Sequence, residues 1–125
     1  MKALEHAEQV SLMKWWAMSC HRFGIAEQLL FAIPNGGHRD AVTGAMLKAE
    51  GVRAGVPDLF LAVPKHPRHG LFIEMKKAKG GRVSDRQNEM ISRLEACGYA
   101  CCVCHGWIEA AQAIEYYMKG NTDYV

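Results

Sequence analysis

Apolar residues along the chain switch between helical and strand spacing, and glycine or proline marks most of the switches. Val10, Leu12, Met13, Trp16, Ala17 and Cys20 fall on one broad face at about 100° per residue. This spacing predicts a helix over 4–22, stopped by Gly24. The apolar run at 29–33 is closed by Pro34-Asn35-Gly36-Gly37, which predicts a strand and a turn. A short helix is expected over 40–50, ended by Gly51, and a strand over 58–63.

The loop PKHPRHG, 64–70, is polar and carries two prolines. A further strand follows at 71–76, and so short a connection between strands predicts a hairpin. Ser84 with Gln87 three residues on reads as a capping box for a helix that reaches Cys97 and stops at Gly98. A strand over 99–104 and a helix over 107–119 complete the order α-β-α-β-β-α-β-α. That order belongs to a mixed α/β domain, with a central sheet flanked by helices. The 125 residues suit one domain spanning 1–125, and half are apolar, enough for a core.

Composition narrows the function only a little. The net charge of +2 neither demands nor excludes nucleic acid. No apolar run approaches the ~18 residues of a membrane span, and MKALEHAEQV lacks the apolar segment of a secretory signal. The expectation is a cytoplasmic protein with no membrane partner. Five cysteines without a signal argue against a disulfide framework.

The strand LFIEMK carries charge where a strand is expected to be buried. Burying a charge costs several kcal/mol unless it is paired or bound to metal. Side chains alternate across a strand, so Phe72, Glu74 and Lys76 share one face and Leu71, Ile73 and Met75 the other. In a hairpin, Asp58 opens one strand where Glu74 and Lys76 close its partner. Two carboxylates at one point repel each other and favour a divalent cation, and oxygen ligands suit Mg²⁺ or Mn²⁺. A nearby lysine suits metal-assisted attack of water on a phosphodiester.

VPD at 56–58 followed by EMK at 74–76 resembles the PD-(D/E)XK nuclease superfamily, and the finer resemblance is to its virus-type replication-repair nucleases, the VRR-NUC domain. Glu5 and Gln9 on the first helix, IPNGG at 33–37, GVPDLFL at 55–61, FIEMKKAKGG at 72–81 and SDRQ at 84–87 carry it in order. The resemblance implies a restriction-endonuclease-like αβββαβ core and a Mg²⁺- or Mn²⁺-dependent deoxyribonuclease. Asp58 and Glu74 would be metal ligands, with the backbone carbonyl of Met75 completing the inner shell. Lys76 would be the catalytic lysine and Gln87 a residue beside the active site. Glu5 would be the acid supplied by the first helix, with Glu8 as the alternative. Glu5 and Gln9 fall within the arc of Leu12, Trp16 and Cys20, whereas Glu8 falls at its edge. Stand-alone members resemble junction-resolving nucleases, which implies a homodimer acting on branched DNA such as Holliday junctions or flaps in replication and repair. Their small format suggests phage or prophage origin. The rival is a nucleic-acid-binding module that keeps the fold without catalysis.

A nuclease must hold a polyanion, and Arg53, Lys77, Lys79, Arg82 and Arg86 flank the expected site. His38 and Arg39 are further candidates. Cys101-x-x-Cys104-His105 matches the c-type haem attachment pattern. It lies, however, in a predicted strand whose alternation turns Cys101 and Cys104 to opposite faces. Core cysteines and no haem are therefore expected, and zinc lacks a second C-x-x-C. Trp15, Trp16 and Trp107 read as core or interface residues. Tyr116 and Tyr117 are candidates for packing against a partner subunit.

Overall fold

The computed structural model describes residues 3–34 and 41–122. Helix α1 spans Ala3–Ser19 and tightens into a 3₁₀ turn, Cys20–Phe23, before Gly24 closes it. Gly24 adopts φ 71°, the left-handed conformation that returns its N–H to the last carbonyls. The buried stripe of α1 is narrower than the apolar spacing predicts. Leu12, Trp16 and Cys20 are buried, together with Ser19, while Val10 and Ala17 are exposed. Those two lie about 100° or more around the helix from Trp16, at the middle of the stripe. Glu5 and Gln9 remain inside it.

Strand β1 (Leu30–Ala32) is preceded by a 3₁₀ turn, Glu27–Leu29, which the Trp16 indole holds by donating to the Glu27 carbonyl at 2.9 Å. Helix α2 spans Ala41–Ala49. Strands β2 (Leu59–Leu61) and β3 (Leu71–Lys76) form the expected antiparallel hairpin, with Leu59 opposite Ile73 and Leu61 opposite Leu71. Helix α3 (Asp85–Ala96) then carries the chain to β4 (Ala100–His105), which runs parallel to β3, and α4 (Trp107–Met118) follows. The sheet order is β1-β2-β3-β4, with β1 antiparallel to β2. This is the mixed sheet flanked by helices that the sequence predicts.

One face of the sheet is the core. Leu59, Leu61, Leu71, Ile73 and Met75 are fully buried with Leu12 and Trp16 of α1 and Ile114 and Tyr117 of α4. Full burial of each such aliphatic side chain contributes about 1.5–3 kcal/mol. Tyr117 belongs to this core, where its hydroxyl donates to the Val63 carbonyl at 2.7 Å, so it does not face a partner. Tyr116, about 100° further round the helix, is exposed. Trp15 and Trp107 pack partly against the same cluster.

The cysteines follow strand alternation. Cys102 and Cys104 are buried with their sulfurs 3.6 Å apart, whereas Cys101 points toward the Ile91 carbonyl on the α3 side. Burial pushes the Cys101 thiol up to about 12. This is the behaviour of a packed thiol rather than of a reactive one.

Candidate active site

The hairpin register that pairs Leu59 with Ile73 places Asp58 opposite Glu74. Pro57 is fully buried and leads Asp58 into the strand. The Asp58 carbonyl accepts from the Ile33 N–H at 2.8 Å, which extends the β1–β2 pairing to the site. Its Oδ2 accepts from the Met75 N–H at 2.8 Å. The Met75 side chain is fully buried in the core, so only its backbone is available to the site.

Glu74 and Lys76 point away from that core, yet they are only 4% and 9% exposed. What covers them is the first turn of α3. Lys76 Nζ lies 3.4 Å from Glu74 Oε2 and donates to Gln87 Oε1 at 3.0 Å. Gln87 Nε2 donates to the same Glu74 Oε2 at 2.8 Å. Gln87 also closes the capping box, for its Oε1 accepts from the Ser84 N–H at 2.9 Å while Ser84 Oγ accepts from the Gln87 N–H. One side chain thus starts the helix and clamps both partners of a buried ion pair. Gly81 lets the β3–α3 loop lie against Lys76, since a Cβ there would come within 2.7 Å of the Lys76 Cβ.

The electrostatics favour a cation. Burial, then repulsion from Asp58, push the Glu74 carboxyl up to about 7, and they outweigh the opposing pull of Lys76. Burial also raises Asp58 above the usual carboxylate range, against the lowering effect of the Met75 N–H. A site that makes two carboxylates reluctant to ionise together gains when a divalent cation enters between them.

Both acids open onto a cavity of about 400 Å³ lined also by Glu5, His6, Gln9, Lys76 and Gln87. Glu5 faces it from α1, and its charge raises both Asp58 and Glu74. Glu8 is engaged elsewhere. Its Oε1 accepts from the Trp107 N–H at 2.7 Å and caps α4, whose own N-cap, Gly106, has no side chain to do so. Sequence reasoning missed this role, although a glycine before a predicted helix signals that a cap must come from elsewhere. It also missed His6, for which no sequence signal exists.

Among the described residues, no three His, Cys, Asp or Glu side chains stand close enough to surround one ion. The donor chemistry nevertheless fits a hydrated divalent cation. The available groups are oxygens, and Gln9 Oε1 is buried with no hydrogen-bond partner among the described residues. A cation's waters are donors that such an orphaned acceptor can take.

The five expected nucleic-acid contacts separate into two groups. Lys77, Lys79 and Arg82 lie on the loop that leaves Lys76, whereas Arg53 and Arg86 meet beside α3. His38 and Arg39 lie outside the described residues.

Comparison with known proteins bears on the same residues. The family model described as VRR-NUC domain matches residues 3–107, a span that contains Glu5, Asp58, Glu74, Lys76 and Gln87. A solved structure described as a VRR_NUC domain protein aligns with a TM-score of 0.81 at 24% identity, covering 100% of this chain and 99% of its own. No curated protein matches the chain. The structural likeness shows a shared nuclease-type fold. With the family model matching most of its length, the chain belongs to the VRR-NUC domain family.

Proposed function

We propose that the protein is a metal-dependent endonuclease that hydrolyses phosphodiester bonds in DNA, with branched DNA as its preferred substrate and a homodimer as its working form. One observation carries the reading: a buried Glu74–Lys76 pair, clamped by Gln87, stands beside Asp58 at the mouth of a cavity. A fold needs no such arrangement for stability, since buried ion pairs are on average no better than apolar packing.

Asp58 and Glu74 would hold Mg²⁺ or Mn²⁺, with the Met75 carbonyl as a further ligand and Glu5, across the cavity, reaching the ion through its bound waters. The ion supplies Lewis acidity to the phosphate and lowers the pKa of water. Lys76 places a fixed ammonium where negative charge develops on the phosphoryl oxygens, and Gln87 holds it there. Gln9 offers an acceptor on the α1 side of the cavity. The branched-substrate preference and the dimer follow from the family resemblance, and two-fold symmetry suits paired cuts across a junction.

The test is cleavage of labelled duplex, flap and four-way-junction DNA with Mg²⁺, Mn²⁺ or chelator. The expected result is metal-dependent cutting, best on a branched substrate, and lost in folded Glu74→Gln and Lys76→Ala variants. Binding without cutting in every metal would replace the reading with a non-catalytic nucleic-acid module. A monomer at concentrations that cut junctions would remove the dimer.

A further inference from the structure

A second concavity, of about 690 Å³, lies between α2 and α3 and is distinct from the acidic cavity. Its walls carry Lys48, Arg53, Arg86 and Arg93, against one acid, Glu89. Glu89 is paired with Arg93 at 3.1 Å. Lys48, Arg53 and Arg86 have no ion-pair partner among the described residues.

Three features show that these cations are placed. Arg86 sits in the first turn of α3, where the helix dipole disfavours positive charge. Gly55 has φ 87°, and a Cβ there would come within 2.6 Å of the Arg86 carbonyl, so the loop carrying Arg53 is pressed onto the backbone of α3. Helix α2 buries none of its residues. It is not there to complete the core, and it contributes Lys48 to the facing wall. The groove also begins next to the chemistry. Gln87 clamps Lys76 and Glu74, while Arg86, one residue earlier and about 100° round the helix, lines the groove.

We infer that the α2–α3 groove binds the phosphate backbone of the DNA arm on one side of the cleaved bond, an inference that rests on the nuclease reading. Lys48, Arg53 and Arg86 contact phosphates there and set the position of that arm. This assigns a DNA-binding role to Lys48 and gives α2 a function. The cations of the 77–82 loop are left to the segment of DNA nearer Lys76.

The experiment compares wild type with Lys48→Ala/Arg53→Ala/Arg86→Ala, in chelator so that nothing is cut, on a four-way junction and a duplex. All three positions are exposed, so the variant retains the fold, and a thermal melt verifies it. Each lost phosphate contact removes about 0.9 from the slope of log K against log salt, so the slope should fall by about 2.7. Hydroxyl-radical protection should disappear on one side only of each cleavage position. Replacement of Arg53 and Arg86 by lysine should keep the slope. A triple variant with the wild-type slope, or protection lost equally on both sides of each cleavage position, overturns the inference. If the wild type binds DNA normally, only the groove assignment falls. If the wild type binds no DNA, the nuclease reading falls with it.

Discussion

Glu74 should make the metal-free protein less stable as the pH rises. Its carboxyl titrates near 7 in the folded chain, against an ordinary value of 4.5. Between those values the folded state holds a proton that the unfolded chain has released. Stability from this group is therefore complete below about pH 4.5 and lost as the pH climbs through 7. At about 1.4 kcal/mol per unit, the rise corresponds to about 3 kcal/mol. Asp58 is raised as well and acts in the same direction. For a chain of this length the loss is about 10 °C in melting temperature.

The perturbation is Glu74→Gln, which imitates the protonated side chain and can still accept from Gln87. In chelator, thermal melts of the two proteins should coincide near pH 4.5. Near pH 8 the variant should melt about 10 °C higher. Carboxylates remote from the site titrate in both proteins and cancel in the difference, whereas Asp58, whose charge repels that of Glu74, adds to it. Excess Mn²⁺ at pH 8 should then raise the wild type, by about 2.7 kcal/mol at a hundredfold excess over Kd, and leave the variant unmoved. Parallel melting curves across the whole pH range would refute the reasoning. They would mean that Lys76 holds Glu74 ionised throughout and that burial and Asp58 do not prevail.

Three other substitutions separate structure from chemistry. Gln87→Ala removes the clamp and half the capping box, so it should lower stability by about 2 kcal/mol and depress cleavage in the protein that remains folded; melts and single-turnover assays read the two effects. Glu5→Ala should abolish metal-dependent cutting with little change in melting temperature, whereas Glu8→Ala should cost about 1 kcal/mol of stability through the lost α4 cap and leave cutting in place. The reverse pattern in those assays would make Glu8 the acid of the site.

The parts of this fold legible in the sequence are those governed by local spacing. The hairpin register follows from its short loop and from alternation, which is why Asp58 could be set against Glu74 without coordinates. The strand faces of the CCVCH segment follow from the same period of two. Non-local pairings were not legible. Glu8 caps a helix that begins 99 positions later, and no spacing rule links them. The separation of Arg53 and Arg86 from Lys77, Lys79 and Arg82 was equally hidden, because it depends on how α2 and the Gly55 loop lie against α3. Breadth misled where the apolar residues of α1 outnumber those its neighbours can cover, so that Val10 and Ala17 stay in solvent.

The SDRQ segment explains why local reading nonetheless reached the site. A capping box requires the N3 side chain to fold back over the start of its helix, and here the start of the helix lies over Glu74 and Lys76. The torsions that satisfy the orphan N–H of Ser84 therefore also aim Gln87 at the ion pair. Capping fixes where Gln87 must be before any substrate arrives, and its neighbour Arg86 is turned the other way by helical geometry alone. Positioning at this site is thus inherited from the helix start. A change that frays the first turn of α3 should loosen Lys76 even where it touches neither Lys76 nor Gln87.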